Sequence, residues 1–185
     1  MSDSIRTFVA VKLPVVPELQ PVLKSLAAMR WPVAAVAADK LHVTLKFLGD
    51  TPSERRVEIQ QLIPRSVSGQ PPFVLRIAGL GAFPHADRPS VVWAGLPDAE
   101  PLIALAKRLE TALEPLGFAR ESRPFQPHLT LARIKGRPPR DLLELLRSQA
   151  TTCFGNVAVQ CVEFIRSDLQ RDGARYTTLA SWELG

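Results

Sequence analysis

Cysteine is scarce in this chain, and long apolar runs, a phosphate loop and acidic clusters are missing; each lack removes a class of explanation. Only two cysteines occur in 185 residues, Cys153 and Cys161. Neither has the nearby Cys or His that a zinc site requires, so both are expected reduced and packed in or near the core. The longest apolar stretches, such as Val33 to Ala38 and Val9 to Val16, are far too short to span a bilayer. Met1 to Thr7 runs into a strand-like segment without the apolar centre of a signal peptide, which points to the cytoplasm and to no membrane partner. No Gly-x-x-x-x-Gly-Lys-Ser/Thr phosphate loop is present, and no Asp/Glu cluster suggests a two-metal site.

What the chain does have is apolar mass and positive charge. At 46% hydrophobic residues it suits one compact domain or two tightly packed lobes. Its net charge of +5 favours anionic partners such as nucleic acid. Strands and helices alternate. A strand at Thr7 to Leu13 ends at Pro14, and a helix follows over Pro17 to Met29. A second strand covers Leu41 to Leu48, and a second helix covers Ser53 to Leu62, with Pro52 at its first turn and Pro64 closing it. Phe73 to Leu80 is a third strand, and a Gly79-Leu80-Gly81-Ala82-Phe83-Pro84 corner leads on to a strand at Val91 to Ala94.

The second half repeats this order. Val92-Trp93-Ala94-Gly95-Leu96-Pro97 echoes Val9-Ala10-Val11-Lys12-Leu13-Pro14, and a helix over Asp98 to Leu113 follows. His128-Leu129-Thr130-Leu131 echoes His42-Val43-Thr44-Leu45. A helix at Arg140 to Ser148 and a strand at Val157 to Ile165 complete the copy, and Arg175 to Leu184 is a final strand without a counterpart. The halves run over 5–83 and 90–166. The expected fold is α+β: one bilobal, pseudo-twofold domain over 1–185, each lobe an antiparallel-type sheet backed by helices, with a cleft between them.

Two of the three histidines fall in the same His-x-Thr-Leu pattern at matching points of this repeat. Side chains alternate along a strand, so His42 and Thr44 share one face and His128 and Thr130 share another. By the same alternation Lys46 joins the His42 face, while Phe47 turns toward the core. If the two strands meet across a cleft, two imidazoles and two hydroxyls surround one site. That set suits a phosphodiester. Imidazole, with an ordinary pKa near ~6.5, serves as acid or base at neutral pH, and hydroxyls donate to the oxygens that gain charge in the transition state.

These motifs carry a resemblance. The sequence resembles the two-histidine phosphoesterase superfamily, and within it the 2′-5′ RNA ligase family, also called RNA 2′,3′-cyclic phosphodiesterases. The matching segments are Arg6 to Pro14, Leu41 to Gly49, Gly81 to Pro84, Val91 to Gly95, Phe125 to Arg133, Arg166 to Leu169, and Tyr176. The resemblance implies metal-independent, cofactor-free opening of a terminal 2′,3′-cyclic phosphate to a 2′-phosphate, with reversible 2′-5′ joining of RNA ends. It implies His42 as proton donor, His128 as proton acceptor, Thr44 and Thr130 as further catalytic residues, and Arg133 as a phosphate contact. The implied partners are RNA ends bearing a cyclic phosphate, tRNA fragments being one source, and the protein is expected to be monomeric. Rival readings are another reaction of the same superfamily, on 2′-5′ oligonucleotides or small cyclic nucleotides, and a non-catalytic RNA-binding protein.

Arg133 is in tension with simple alternation, which turns it away from His128 unless a bulge intervenes. Arg133-Ile134-Lys135-Gly136-Arg137-Pro138-Pro139-Arg140 forms a basic loop suited to an RNA backbone or merely to solvent. His85, in a turn-rich loop, is read as exposed, its sharper alternative being a third zinc ligand. Phe83 is left open between base stacking and packing.

Overall fold

The computed structural model describes residues 4–170 and 173–185. Two antiparallel sheets stand at its centre. The first has the order β3-β1-β8-β9, built from β1 (Ser4–Lys12), β3 (His42–Pro52), β8 (Cys161–Gln170) and β9 (Gly173–Glu183). The second has the order β2-β6-β5-β4-β7, built from β2 (Val33–Ala35), β4 (Phe73–His85), β5 (Arg88–Gly95), β6 (His128–Ile134) and β7 (Cys153–Val159). Helices α2 (Ser53–Val67) and α3 (Glu100–Leu113) pack on the first sheet, α1 (Gln20–Ala28) and α4 (Arg140–Ser148) on the second. This is the expected α+β, two-lobed architecture.

The repeat of element order and the division into lobes do not coincide. The first half of the chain contributes α1, β2 and β4 to the second lobe, and the second half contributes α3, β8 and β9 to the first. Each lobe is therefore stitched from both halves. One continuous apolar cluster runs from Val9 and Leu45 through Leu102 and Leu109 to Leu129, Phe154 and Phe164, all nearly or fully inaccessible to solvent. Burial of this kind is worth ~25 cal/mol per Å², and neither half could secure it alone.

Several elements differ from the sequence reading, each for a physical reason. Pro64 does not close α2, which continues to Val67 because Ile63 and Val67 are buried. Ser66 also returns a hydrogen bond to the Leu62 carbonyl at 3.1 Å. The Gly79 to Pro84 corner is a continuation of β4, with Gly79 bulged between Ala78 and Leu80, and a second register shift at Phe83 and Pro84 leaves Ser90 of β5 as the extra residue. Val157 to Ile165 is two strands, β7 ending at Val159 and β8 starting at Cys161 in the other sheet. Unbroken apolar patterning hid that crossing. Cys153 is exposed and Cys161 half-buried, both free, so Cys153 is not the core residue expected. Among the described residues no helix is long and apolar enough to cross a membrane.

Candidate active site

The two His-x-Thr strands lie against each other across the lobes. Their backbones are alike in an unexpected detail. In β3, Ala10 pairs with Thr44 and Val9 with Lys46, so Leu45 is an extra, bulged residue. In β6, Trp93 pairs with Thr130 and Val92 with Ala132, so Leu131 is bulged at the same point of the motif. A bulge inserts one residue and reverses alternation beyond it. The faces of the residues just after the motif, Lys46 and Phe47 in β3 and Ala132 and Arg133 in β6, are thereby exchanged in the same way, until a second bulge at Leu48 interrupts β3.

This exchange decides the residues that simple alternation misplaced. Arg133 is exposed on the side of His128 and Thr130, not turned to the core. Phe47, its structural counterpart, is 43% exposed rather than packed inside. Lys46 takes the buried position, 2% exposed, and its ammonium is tied up in protein contacts at the wall of the cleft. Its ammonium donates to Glu110 Oε1 at 3.1 Å and to the Ala119 carbonyl at 2.6 Å, with Glu121 Oε1 at 3.8 Å. Glu110 Oε1 also accepts the Glu121 backbone N–H at 2.8 Å. Burial alone would raise the Glu110 carboxyl, but the Glu121 N–H and Lys46 outweigh it and hold its pKa below the ordinary value. Lys46 thus pins the segment leading to His128.

Each histidine is oriented in the same way. His42 Nδ1 lies 2.8 Å from the Lys40 carbonyl, and His128 Nδ1 lies 2.8 Å from the Gln126 carbonyl, each two residues back. A carbonyl oxygen only accepts, so both Nδ1 atoms carry hydrogen and both Nε2 atoms are left free for proton exchange. Aromatic rings hold the imidazoles from the side. Tyr176 meets His42 edge-on at 5.1 Å and 84°, and Phe83 meets His128 edge-on at 5.1 Å and 84°. Phe8 adds a tilted contact to His42 at 5.0 Å, and Trp93 backs Phe83 at 5.3 Å. Gly81 is needed here: a Cβ at that position would lie 2.2 Å from the Trp93 ring.

The two half-sites also sense each other electrically. Burial, above all, lowers the pKa of His42, against the Lys40 carbonyl bond, and the charges of Arg133, Lys12 and His128 lower it further. Lys12, directly opposite His42 in β1, is itself tied to Glu163 Oε2 at 2.9 Å and Thr178 Oγ1 at 2.8 Å. A phosphate entering between the histidines would supply the negative charge that offsets those cations. His42, Thr44, His128, Thr130 and Arg133 are thus brought to the facing surfaces of β3 and β6.

Other candidates fall elsewhere. His85 sits at the exposed turn between β4 and β5, seven residues along β5 from the register of His128, or roughly 23 Å at strand rise. Among the described residues no group of three His, Cys, Asp or Glu is placed to hold a metal ion. Arg137 and Arg140 of the basic loop join Arg88 around a cavity of about 750 Å³ at the far end of the second sheet. A second cavity, about 520 Å³, lies at the paired motifs, with Thr44, Phe47, Phe83 and His128 among its walls. Lys12, Phe8 and Trp93 had no assigned role in the sequence reading, because cross-strand register brings them to the imidazoles.

Comparison with known proteins agrees with this fold. The model of the 2′-5′ RNA ligase superfamily matches residues 15–170. The chain belongs to the 2′-5′ RNA ligase superfamily. Within it, an RNA 2′,3′-cyclic phosphodiesterase of Archaeoglobus fulgidus is 33% identical over 97% of this chain and 100% of its own length. One from Aeropyrum pernix is 37% identical over 84% of this chain and 88% of its own. The crystal structure of TT0787 of Thermus thermophilus superposes with a TM-score of 0.78 at 30% identity, covering 97% of this chain and 98% of that one. That of E. coli LigT complexed with 3′-AMP gives 0.75 at 29%, covering 98% and 99%. The paired His-x-Thr strands are this superfamily member's candidate catalytic surface.

Proposed function

We propose that this protein is an RNA 2′,3′-cyclic phosphodiesterase that opens a terminal cyclic phosphate to a 2′-phosphate by acid–base catalysis between His42 and His128. The observation that carries the reading is the matched pair of Nδ1–carbonyl bonds, which leave two Nε2 atoms free on strands that face each other. His128 Nε2 takes a proton from water as its oxygen attacks phosphorus. The P–O3′ bond breaks in line, His42 gives its proton to O3′, and the phosphate stays on O2′. Thr44 and Thr130 donate hydrogen bonds to the non-bridging oxygens, and Arg133 adds positive charge beside them.

The pKa of His42 is lowered, by burial first and by the neighbouring cations second, which favours its neutral form until substrate binds. An imidazolium held beside cations is a stronger acid, and the anionic substrate restores its proton on binding. No step calls on a metal, and 2′-5′ joining is the same sequence reversed, with a 5′-hydroxyl in place of water. The relatives' printed activities support the substrate class. The test is a short RNA ending in a 2′,3′-cyclic phosphate, incubated in chelator and followed by phosphorus NMR. A 2′-phosphomonoester is expected. A 3′-phosphate, loss of turnover in chelator, or tight RNA binding without turnover would each overturn the proposal.

A further inference from the structure

Water is a small nucleophile, and the cavity on the His128 side of the cleft is far larger than it needs. A water molecule's share of liquid volume is about 30 Å³, whereas this cavity measures about 520 Å³. Small-molecule sites run from about 300 to 1,000 Å³, mostly apolar with a few polar groups. Its walls include Phe47, Phe83 and Phe125 beside the charged Lys46, Glu121 and Arg123, and His128 and Thr44 also line it. Phe47 is there because of the bulge at Leu45. The Arg6 guanidinium lies over its ring, 4.7 Å from the centroid, a cation–π contact that steadies an otherwise exposed side chain.

We propose that this cavity seats a second nucleoside, the one whose 5′-oxygen takes the place of water at the phosphorus. The inference rests on the proposed phosphodiesterase reading and its assignment of His128 to the entering oxygen. Entering and leaving oxygens occupy opposite sides of phosphorus in an in-line displacement, so a group on the His128 side belongs to the nucleophile. In the joining direction the 5′-hydroxyl gives its proton to His128, O5′ bonds to phosphorus, the P–O3′ bond breaks, and His42 protonates O3′. In the reverse direction the 3′-hydroxyl attacks, O5′ leaves with a proton from His128, and the cyclic phosphate re-forms. The base stacks on Phe47, a contact every base can make, and Arg123 meets the next phosphate of a longer chain.

The experiment compares cleavage of adenylyl-(2′→5′)-adenosine with hydrolysis of adenosine 2′,3′-cyclic phosphate in wild type, Phe47→Ala and Phe47→Trp. Loss of one stacking platform is worth roughly 10- to 100-fold. The expected result is that Phe47→Ala lowers kcat/KM on the dinucleotide by that factor, lowers it at least tenfold less on the cyclic phosphate, and is rescued by Phe47→Trp. Equal losses on both substrates would place the terminal nucleoside in the cavity and overturn the inference. No loss on the dinucleotide would also overturn it. Failure of the wild type to open the cyclic phosphate would instead overturn the phosphodiesterase reading, with this inference falling as a consequence. Thermal melts verify folding, which the exposure of Phe47 favours.

Discussion

The β3 and β6 halves of the site share a backbone and differ in what the backbone carries. Both have the histidine, the threonine, the Nδ1–carbonyl bond and the bulged leucine. Beyond the bulge the likeness ends. Phe47 stands where Arg133 stands in the copy, Lys46 where Ala132 stands, and Lys12 where Gly95 stands, opposite its histidine. In the proposed reading, the duplicated backbone makes a seat that treats both sides of a phosphate alike. The unlike residues give that seat a direction, aromatic at one end and cationic at the other.

The largest expected effect tests the shared part. His42→Ala and His128→Ala should each lose roughly 10²- to 10⁴-fold in kcat, and the double variant should be little worse than the poorer single one, because the pair acts as a unit. A rate near wild type for either single variant would break the equivalence of the halves. Next, Thr44→Ala and Thr130→Ala should each cost on the order of 10²-fold in kcat. If only one does, the two hydroxyls are not equivalent donors.

The unlike residues give smaller and more selective effects. Lys46→Met leaves Glu110 without its cation and should cost about 1–3 kcal/mol of stability, read in denaturant melts. Because the Glu110 pKa is lowered on folding, its share of stability is present at neutral pH. That share is lost as pH falls below the ordinary carboxylate value of about 4.5. The gap between wild type and Lys46→Met should therefore close in acid. Smallest, Arg133→Gln removes a charge that disfavours protonated His42, so an NMR titration should show the His42 pKa rise. If His42 is the donor, the alkaline limb of kcat/KM moves to higher pH. Movement of the acid limb instead would exchange the roles of the two histidines.

Much of this was legible in the chain. Element order, the α+β class and the coupling of the two His-x-Thr motifs follow from patterning, because strand alternation and apolar periodicity are local properties. Arg133 shows the limit. Whether it shares the face of His128 depends on one inserted residue at Leu131, and nothing in His128-Leu129-Thr130-Leu131-Ala132-Arg133 marks that residue as unpaired. Lys46 and Phe47 were misplaced for the same reason. The crossing from β7 to β8 escaped detection because Val157 to Ile165 stays strand-like throughout while the chain changes sheets.

By itself, then, the order of residues determined which groups could do acid–base work and that they came in two copies. Only the tertiary structure decided which neighbours complete each copy. Register, bulges and the exchange of α1, β4, α3 and β8 between lobes are set by pairing energies summed over distant strands. A single-residue slip in that pairing reverses every side chain beyond it, and local sequence carries no record of it.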